Sequence, residues 1–309
     1  MKNKKYKITL VTSVGTYETH LAWTVASAYN LVDEVIITNG GIYVDDPFGK
    51  DDIILQREVN QIKELDIDNK CLMIKASWKG LDISKEENEF GRGRNLTQSA
   101  RIAREQGADW IIKTDADELI DSSVTRERLE HYISISNNGQ LGYRFGMWEI
   151  HGKDYAHYQS LPSWASEDDQ NYPSSNDSIQ FFKPNKGDFF YGGGAPVVKS
   201  SINPQQDLNC WHVRYCVPPD LEPYKYFYER FLYHLFAPEY LIKGKDTDID
   251  KIKKEAHDKA LSHVESMVNN TDKLHKVDPN NKDARVPPRK PLVMELGFVD
   301  YIKYMKEKL

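Results

Sequence analysis

The sequence predicts an α/β fold: a mostly parallel central sheet flanked by helices, followed by a helical extension. Three observations carry that expectation. Short β-branched runs alternate with segments of helical periodicity as far as residue 118, the pattern then changes to short aromatic strands, and beyond Pro218-Pro219 only helical periodicity remains.

The first strand is read from KITLVTSV, residues 7–14, and the helix after it from Leu21, Val25, Ala28 and Val32. EVIITNGG then reads as a short buried strand ending in glycines, which completes a β-α-β unit. A helix with Leu55, Val59 and Ile62 on one stripe leads to the strand CLMIKAS, and a helix carrying Leu96, Ala100 and Ala103 leads to DWIIKT. From about residue 141, GYRFGMWEI, SIQFFKP, PVVKS and CWHVRY are strands separated by loops of acids, glycines and prolines. Segments 223–237 and 247–268 and the chain end read as helices. The expected organisation is a catalytic domain over 1–217, with halves 1–118 and 119–217, and a helical extension over 218–309.

Composition bounds the function. A net charge of -6 and a sequence pI near 5.9 argue against a nucleic-acid protein, whose phosphate contacts need clustered Lys and Arg. No apolar run approaches the roughly 18 residues that cross a bilayer, and the run after the basic start is too short for a secretory leader. Three cysteines, Cys71, Cys210 and Cys216, are too few for a disulfide framework, which points to the cytoplasm. The charge alternation of the extension reads as a solvated face and leaves peripheral membrane contact open.

The candidate site lies in ADWIIKTDADELI, with Asp115 and Asp117 one residue apart. Asp-x-Asp alone is weak, because Asp66-Asp68, Asp246-Asp248 and Asp248-Asp250 repeat it in polar stretches suited to capping and turns. Only Asp115 and Asp117 follow a buried strand, and in open α/β sheets ligands bind beyond such strand ends. On an extended chain residues i and i+2 face the same way, and two carboxylates facing one point call for a cation. Magnesium or manganese suits them, since such ions take one or two carboxylates and complete their shell with waters and phosphates. Thr12, Ser13 and the Asn39-Gly40-Gly41 turn also fall at strand ends. The competing reading is an Asp-rich turn capping a helix that starts near Glu118 or Asp121.

Thr12-Ser13, LVDEVIITNGG, GRGRNLTQSARIAREQGADWIIKTDADE and CWHVRY, in this order, resemble the family 2 glycosyltransferases of GT-A fold over residues 5–216. The resemblance implies transfer of a sugar from a nucleotide-diphosphate donor to a glycan or lipid-linked acceptor, with Mn2+ or Mg2+ as cofactor. It implies Asp117 as metal ligand, Asp115 as its partner or a ribose contact, Arg94 and Asn95 as donor contacts, and His212 as a third ligand or diphosphate contact. Asn39 departs from the family's usual aspartate and leaves the base open. Glu167, Asp168 and Asp169 resemble the acidic motif that supplies the base of an inverting transferase, Asp168 first among them, against the reading of a solvated acidic loop. Trp148, Trp164, Tyr172, Tyr191 and Trp211 serve either as sugar-stacking faces or as core. A zinc site of Cys210, His212 and Cys216 offers three ligands where a closed site takes four. Two alternatives stand: a nucleotidyltransferase on a related fold, though Ser13-Val14-Gly15-Thr16-Tyr17-Glu18 lacks a basic phosphate loop, and a non-catalytic carbohydrate- or nucleotide-binding protein.

Overall fold

A computed structural model describes residues 6–14, 20–39, 53–75, 98–136, 142–151, 155–159, 179–184, 190–191, 195–196, 203–217, 222–269 and 291–308. The chain builds strand β1 (Ile8–Val14), helix α1 (Leu21–Ala28), β2 (Glu34–Asn39), α2 (Ile53–Leu65) and β3 (Cys71–Lys75). A helix over 98–105, α3, leads to β4 (Trp110–Asp115) and then β5 (Glu118–Ile120). Next come α4 (Arg126–Ile135), β6 (Gly142–His151), β7 (Tyr155–Gln159), β8 (Gln180–Phe182), β9 (Phe190–Tyr191), β10 (Ala195–Pro196) and β11 (Asn203–Tyr215). The chain closes with α5 (Pro223–Lys243), α6 (Ile249–Asn269), α7 (Leu292–Leu296) and α8 (Phe298–Lys308).

The expected α/β architecture holds, with its mostly parallel central sheet, flanking helices and helical extension. The sheet order is β3-β2-β1-β4-β8-β6-β11-β5, with β7 beside β6 and a separate β9-β10 pair. The first four strands run parallel, as do β6 and β11, while β8, β5 and β7 pair antiparallel. Parallel strands covered on both faces are apolar throughout, and here alternate residues feed two cores. Ile8, Leu10, Val35, Ile37, Trp110, Ile112 and Phe181 join the α1 side, and Val11, Ile36, Ile111 and Phe182 join Ala100 and Ala103 of α3.

One connection shapes the rest. Only Ala116 and Asp117 separate β4 from β5, yet three strands lie between them in sheet order. Four strand spacings span roughly 19 Å, more than the ~11 Å that three Cα steps can reach, so the sheet curls back on itself. Register shifts on β11 at Gln205/Asn209 and His212/Tyr215 accompany that bend. β5 then pairs antiparallel with β11, setting His212 opposite Glu118, and the Val213 N–H donates to the Asp117 carbonyl at 2.9 Å.

One local expectation and one part of its competing reading are corrected. The acidic pair straddles a turn instead of lying on one extended strand, and the element after it is the strand β5, because its buried Glu-Leu-Ile run pairs with β11. The next helix waits until Arg126, where the Thr125 hydroxyl accepts the Arg128 N–H.

The extension packs on the same core. Val293, Phe298, Tyr301, Ile302 and Met305 are buried with α1, and the Tyr301 hydroxyl donates to the Ala26 carbonyl at 2.9 Å. α5 and α6 form a hairpin around Leu232, Phe236, Ile252 and Ala256. Shortening a well-packed aliphatic side chain costs about 2–5 kcal/mol. Ile302→Ala should therefore lower the melting temperature of the whole chain in a single calorimetric transition. A separate low-temperature transition with the main one unmoved would show that α7–α8 fold apart from the sheet.

Candidate functional site

The β4–β5 turn is pinned from several sides. The Thr24 hydroxyl of α1 donates to the Ala116 carbonyl at 2.9 Å, the Ile120 N–H donates to Ser27 Oγ at 2.9 Å, and the Asp115 N–H donates to Glu118 Oε2 at 2.7 Å. Register between the parallel strands puts Ser13 beside Asp115, Thr12 beside Thr114, and Asn39 beside Val14. Thr12, Ser13 and Asn39 thus gather with Asp115 at the carboxyl ends of β1, β2 and β4. Thr12 Oγ1 is buried and has no hydrogen-bond partner among the described residues.

Asp117 is buried, at 7% exposure. Its Oδ2 meets the Arg230 guanidinium at 3.0 Å and His212 Nε2 at 3.4 Å. Burial alone would raise the carboxyl pKa, but His212 and Arg230 outweigh it and hold the group well below the carboxylate range. Asp117 is therefore an anion at neutral pH. Asp115 is matched separately, with Lys113 Nζ at 2.9 Å from its Oδ1 and both side chains buried. Beside them, burial and then the Asp115 charge push the Glu118 carboxyl up to about 8, so it keeps its proton at neutral pH.

Arg230 is the residue that sequence reading missed. It sits on α5, one turn after Tyr226, whose hydroxyl accepts from its Nη1 at 3.0 Å. Its position in an aromatic-rich helical segment gives no sign of a partner more than a hundred residues earlier. Lys113 is a second: it lies within an apolar strand and faces Asp115 as its counter-ion.

Arg94, Asn95, Glu167, Asp168, Asp169, Trp164 and Tyr172 lie outside the described residues, as do the side chains of Asn39 and Tyr191. Trp211 is core, fully buried with its indole N–H on Asp121 Oδ2 at 2.8 Å, and Trp148 packs partly buried near it. The repeated acidic patterns do turn and capping work: Asp66 accepts the Lys70 and Cys71 N–H groups, and Asp248 accepts the Lys251 N–H at the start of α6. Cys210 and Cys216 are buried and lie in no disulfide, and burial raises the Cys210 pKa.

The donor set decides which metal would fit. Among the described residues no three His, Cys, Asp or Glu side chains form a metal cage. Asp117 and His212 are nonetheless close enough for one ion to bond both, and a carboxylate with an imidazole would suit Mn2+, its shell completed by waters and phosphate oxygens, better than Mg2+. Asp115, with its Oδ1 on Lys113, is less open to the same ion. The fit is to Asp117 and His212.

At the start of α1, Glu58, fully buried, accepts the Ala22 N–H at 2.7 Å. A phosphate brought to that helix start would meet a carboxylate, so the anion site many α/β proteins place there is already filled.

No protein-family model and no curated protein matches the chain. Among solved structures, it is similar to a glycosyltransferase involved in glycosylation of the major capsid of PBCV-1, at 14% identity over 57% of this chain and 59% of that one, TM-score 0.28. It is also similar to glucosyl-3-phosphoglycerate synthase from Mycobacterium tuberculosis, solved with Mn2+, uridine diphosphate and phosphoglyceric acid (11% identity, 48% and 44% coverage, TM-score 0.27). A third is a cytidylyltransferase from Leptospira borgpetersenii (10% identity, 59% and 61% coverage, TM-score 0.27). The chain spans 59% of the first structure's length. These likenesses are slight, and the functional reading rests on the residues of the site.

His20 lies against this cluster, edge-on to Trp23 and Tyr226. Full burial, and then the charge of Arg230, lower its pKa to about 3. An unfolded histidine titrates near 6.5, so between these values the unfolded chain binds a proton that the native chain does not. The contribution is complete above pH 6.5 and declines as pH falls toward 3. His20→Gln should flatten the loss of stability between pH 6.5 and 4 by up to about 1.4 kcal/mol per pH unit, read from urea unfolding at stepped pH. Parallel slopes for the two proteins would contradict a buried neutral imidazole.

Proposed function

We propose that the chain is a glycosyltransferase that moves a sugar from a nucleotide-diphosphate donor to a glycan or lipid-linked acceptor. The observation that carries the reading is the convergence of Asp117, from the β4–β5 turn, with His212, from β11, beside the strand ends that bear Thr12, Ser13 and Asn39. We assign the catalytic unit to 1–217, with the donor half 1–118 and the acceptor half 119–217, and the helical extension to 218–309. The three free cysteines fit a cytoplasmic enzyme. No helix among the described residues is long and apolar enough to cross a membrane.

Asp117 and His212 would hold Mn2+ or Mg2+, which neutralises charge developing on the leaving diphosphate. The chain's own residues do the rest. Ser13, Thr12 and Asn39 offer hydroxyl and amide groups for the nucleoside, and Arg94 and Asn95 are assigned to the donor. Asp115 is the ribose contact in this reading, since Lys113 already engages its carboxylate. A carboxylate, Asp168 before Glu167 and Asp169, takes the proton of the acceptor hydroxyl as that oxygen attacks opposite the departing diphosphate, giving inversion. Glu58, which reaches from α2 to the start of α1, weighs against the nucleotidyltransferase alternative with phosphates held at that helix.

A thermal-shift screen of nucleotide sugars with and without Mn2+ or Mg2+ tests the reading. Ligand at about 100 times Kd stabilises the native state by about 2.7 kcal/mol. Asp117→Ala should abolish the metal-dependent shift, whereas Asp248→Ala, an exposed helix cap, should leave it intact. Equal effects of the two substitutions, or no metal-dependent shift with any nucleotide sugar, would sink it.

A further inference from the structure

The helical extension reaches the strand-end site through one side chain. Arg230 places its guanidinium 3.0 Å from Asp117 Oδ2, the same oxygen that His212 Nε2 approaches to 3.4 Å. The oxygen an ion would share with His212 already carries a cation. Tyr226, one turn earlier on α5, holds the other end of the guanidinium through its hydroxyl at 3.0 Å. Tyr226 is itself buried with Phe227 and Ala260, so the group is carried by a packed helix and not by a loose surface chain.

Charge counting gives this contact a consequence. Arg230 faces Asp117 and Lys113 faces Asp115, so each of these buried acids already has a cation of its own. A divalent ion added alone would leave two uncompensated positive charges in a site with little water, which is costly. A divalent ion arriving with a diphosphate brings its own compensation. The displaced guanidinium, still tethered near Tyr226, then finds phosphate oxygens, which a planar fork of donors matches well.

We propose that Arg230 is the built-in counter-ion of the site: it holds Asp117 against a divalent ion until a diphosphate arrives, then turns from the carboxylate to the diphosphate, so that ion and nucleoside diphosphate bind together. The inference rests on the glycosyltransferase reading for the identity of the diphosphate. It makes the helical extension part of donor binding.

Mn2+ titration followed by the electron-paramagnetic resonance signal of the free ion tests it in the full chain, first with the ion alone and then with UDP, GDP, CDP, dTDP or ADP. Wild type should bind Mn2+ alone weakly and tighten at least tenfold with the diphosphate that fits. Arg230→Gln should bind Mn2+ alone at least tenfold tighter than wild type and gain less from the diphosphate. Arg230→Lys, which keeps the charge, should stay close to wild type, and Asp117→Asn should remove the gain of Arg230→Gln. Mn2+ affinity in Arg230→Gln no higher than in wild type, or a gain that survives Asp117→Asn, would overturn the proposal. An equal diphosphate response in wild type and Arg230→Gln would overturn it while keeping the glycosyltransferase reading. No response to any diphosphate in either protein would overturn that reading together with the diphosphate half of the proposal.

Discussion

A carboxylate with almost no access to water stays ionised only if cations or hydrogen-bond donors face it, and Asp117 is such a group. Its Oδ2 is met by Arg230 and approached by His212, and each comes from a different part of the chain. The β4–β5 turn supplies the acid, β11 the imidazole and α5 the guanidinium. Sheet, curl and extension must all be in place for this anion to be tolerated. The ion pair therefore depends on the whole fold, and the proposed chemistry is placed at it.

The curl is what makes the meeting possible. β4 and β5 are joined by two residues but stand at opposite ends of half the sheet. Pairing β5 with β11 sets His212 across from Glu118 and ties Val213 to the Asp117 carbonyl. α1 braces the turn through Thr24 and Ser27, and α8 braces α1 through Tyr301. A chain of contacts thus runs from the last helix to the acidic turn. Neighbouring carboxyls are kept from accumulating charge in two ways, by a counter-ion at Asp115 and by a retained proton at Glu118.

Much of this was legible in the sequence. The β-α alternation, the parallel strands with β-branched apolar runs, and the helical extension all arise from local periodicity, which survives in the fold. Asp117 stood out from three identical patterns because of the buried strand before it, and those rivals serve as turn and capping groups where they are described. His212 was placed by resemblance, and its approach to Asp117 is a product of strand register. What could not be read was non-local. Strand alternation put Asp115 and Asp117 on one face, whereas the chain turns between them, because the pairing of β5 with β11 is set by residues about ninety positions later. Arg230 carries no local mark at all: its role comes from how α5 docks.

The most direct test of Asp117 as the centre of the site is an anomalous-difference map from a crystal grown with Mn2+ and the nucleoside diphosphate that binds. One manganese peak is expected, bonded by the Asp117 carboxylate and the His212 imidazole, with the Arg230 guanidinium on the diphosphate. Manganese bound elsewhere, with Arg230 still on Asp117 and the diphosphate away from the strand ends, would contradict that role.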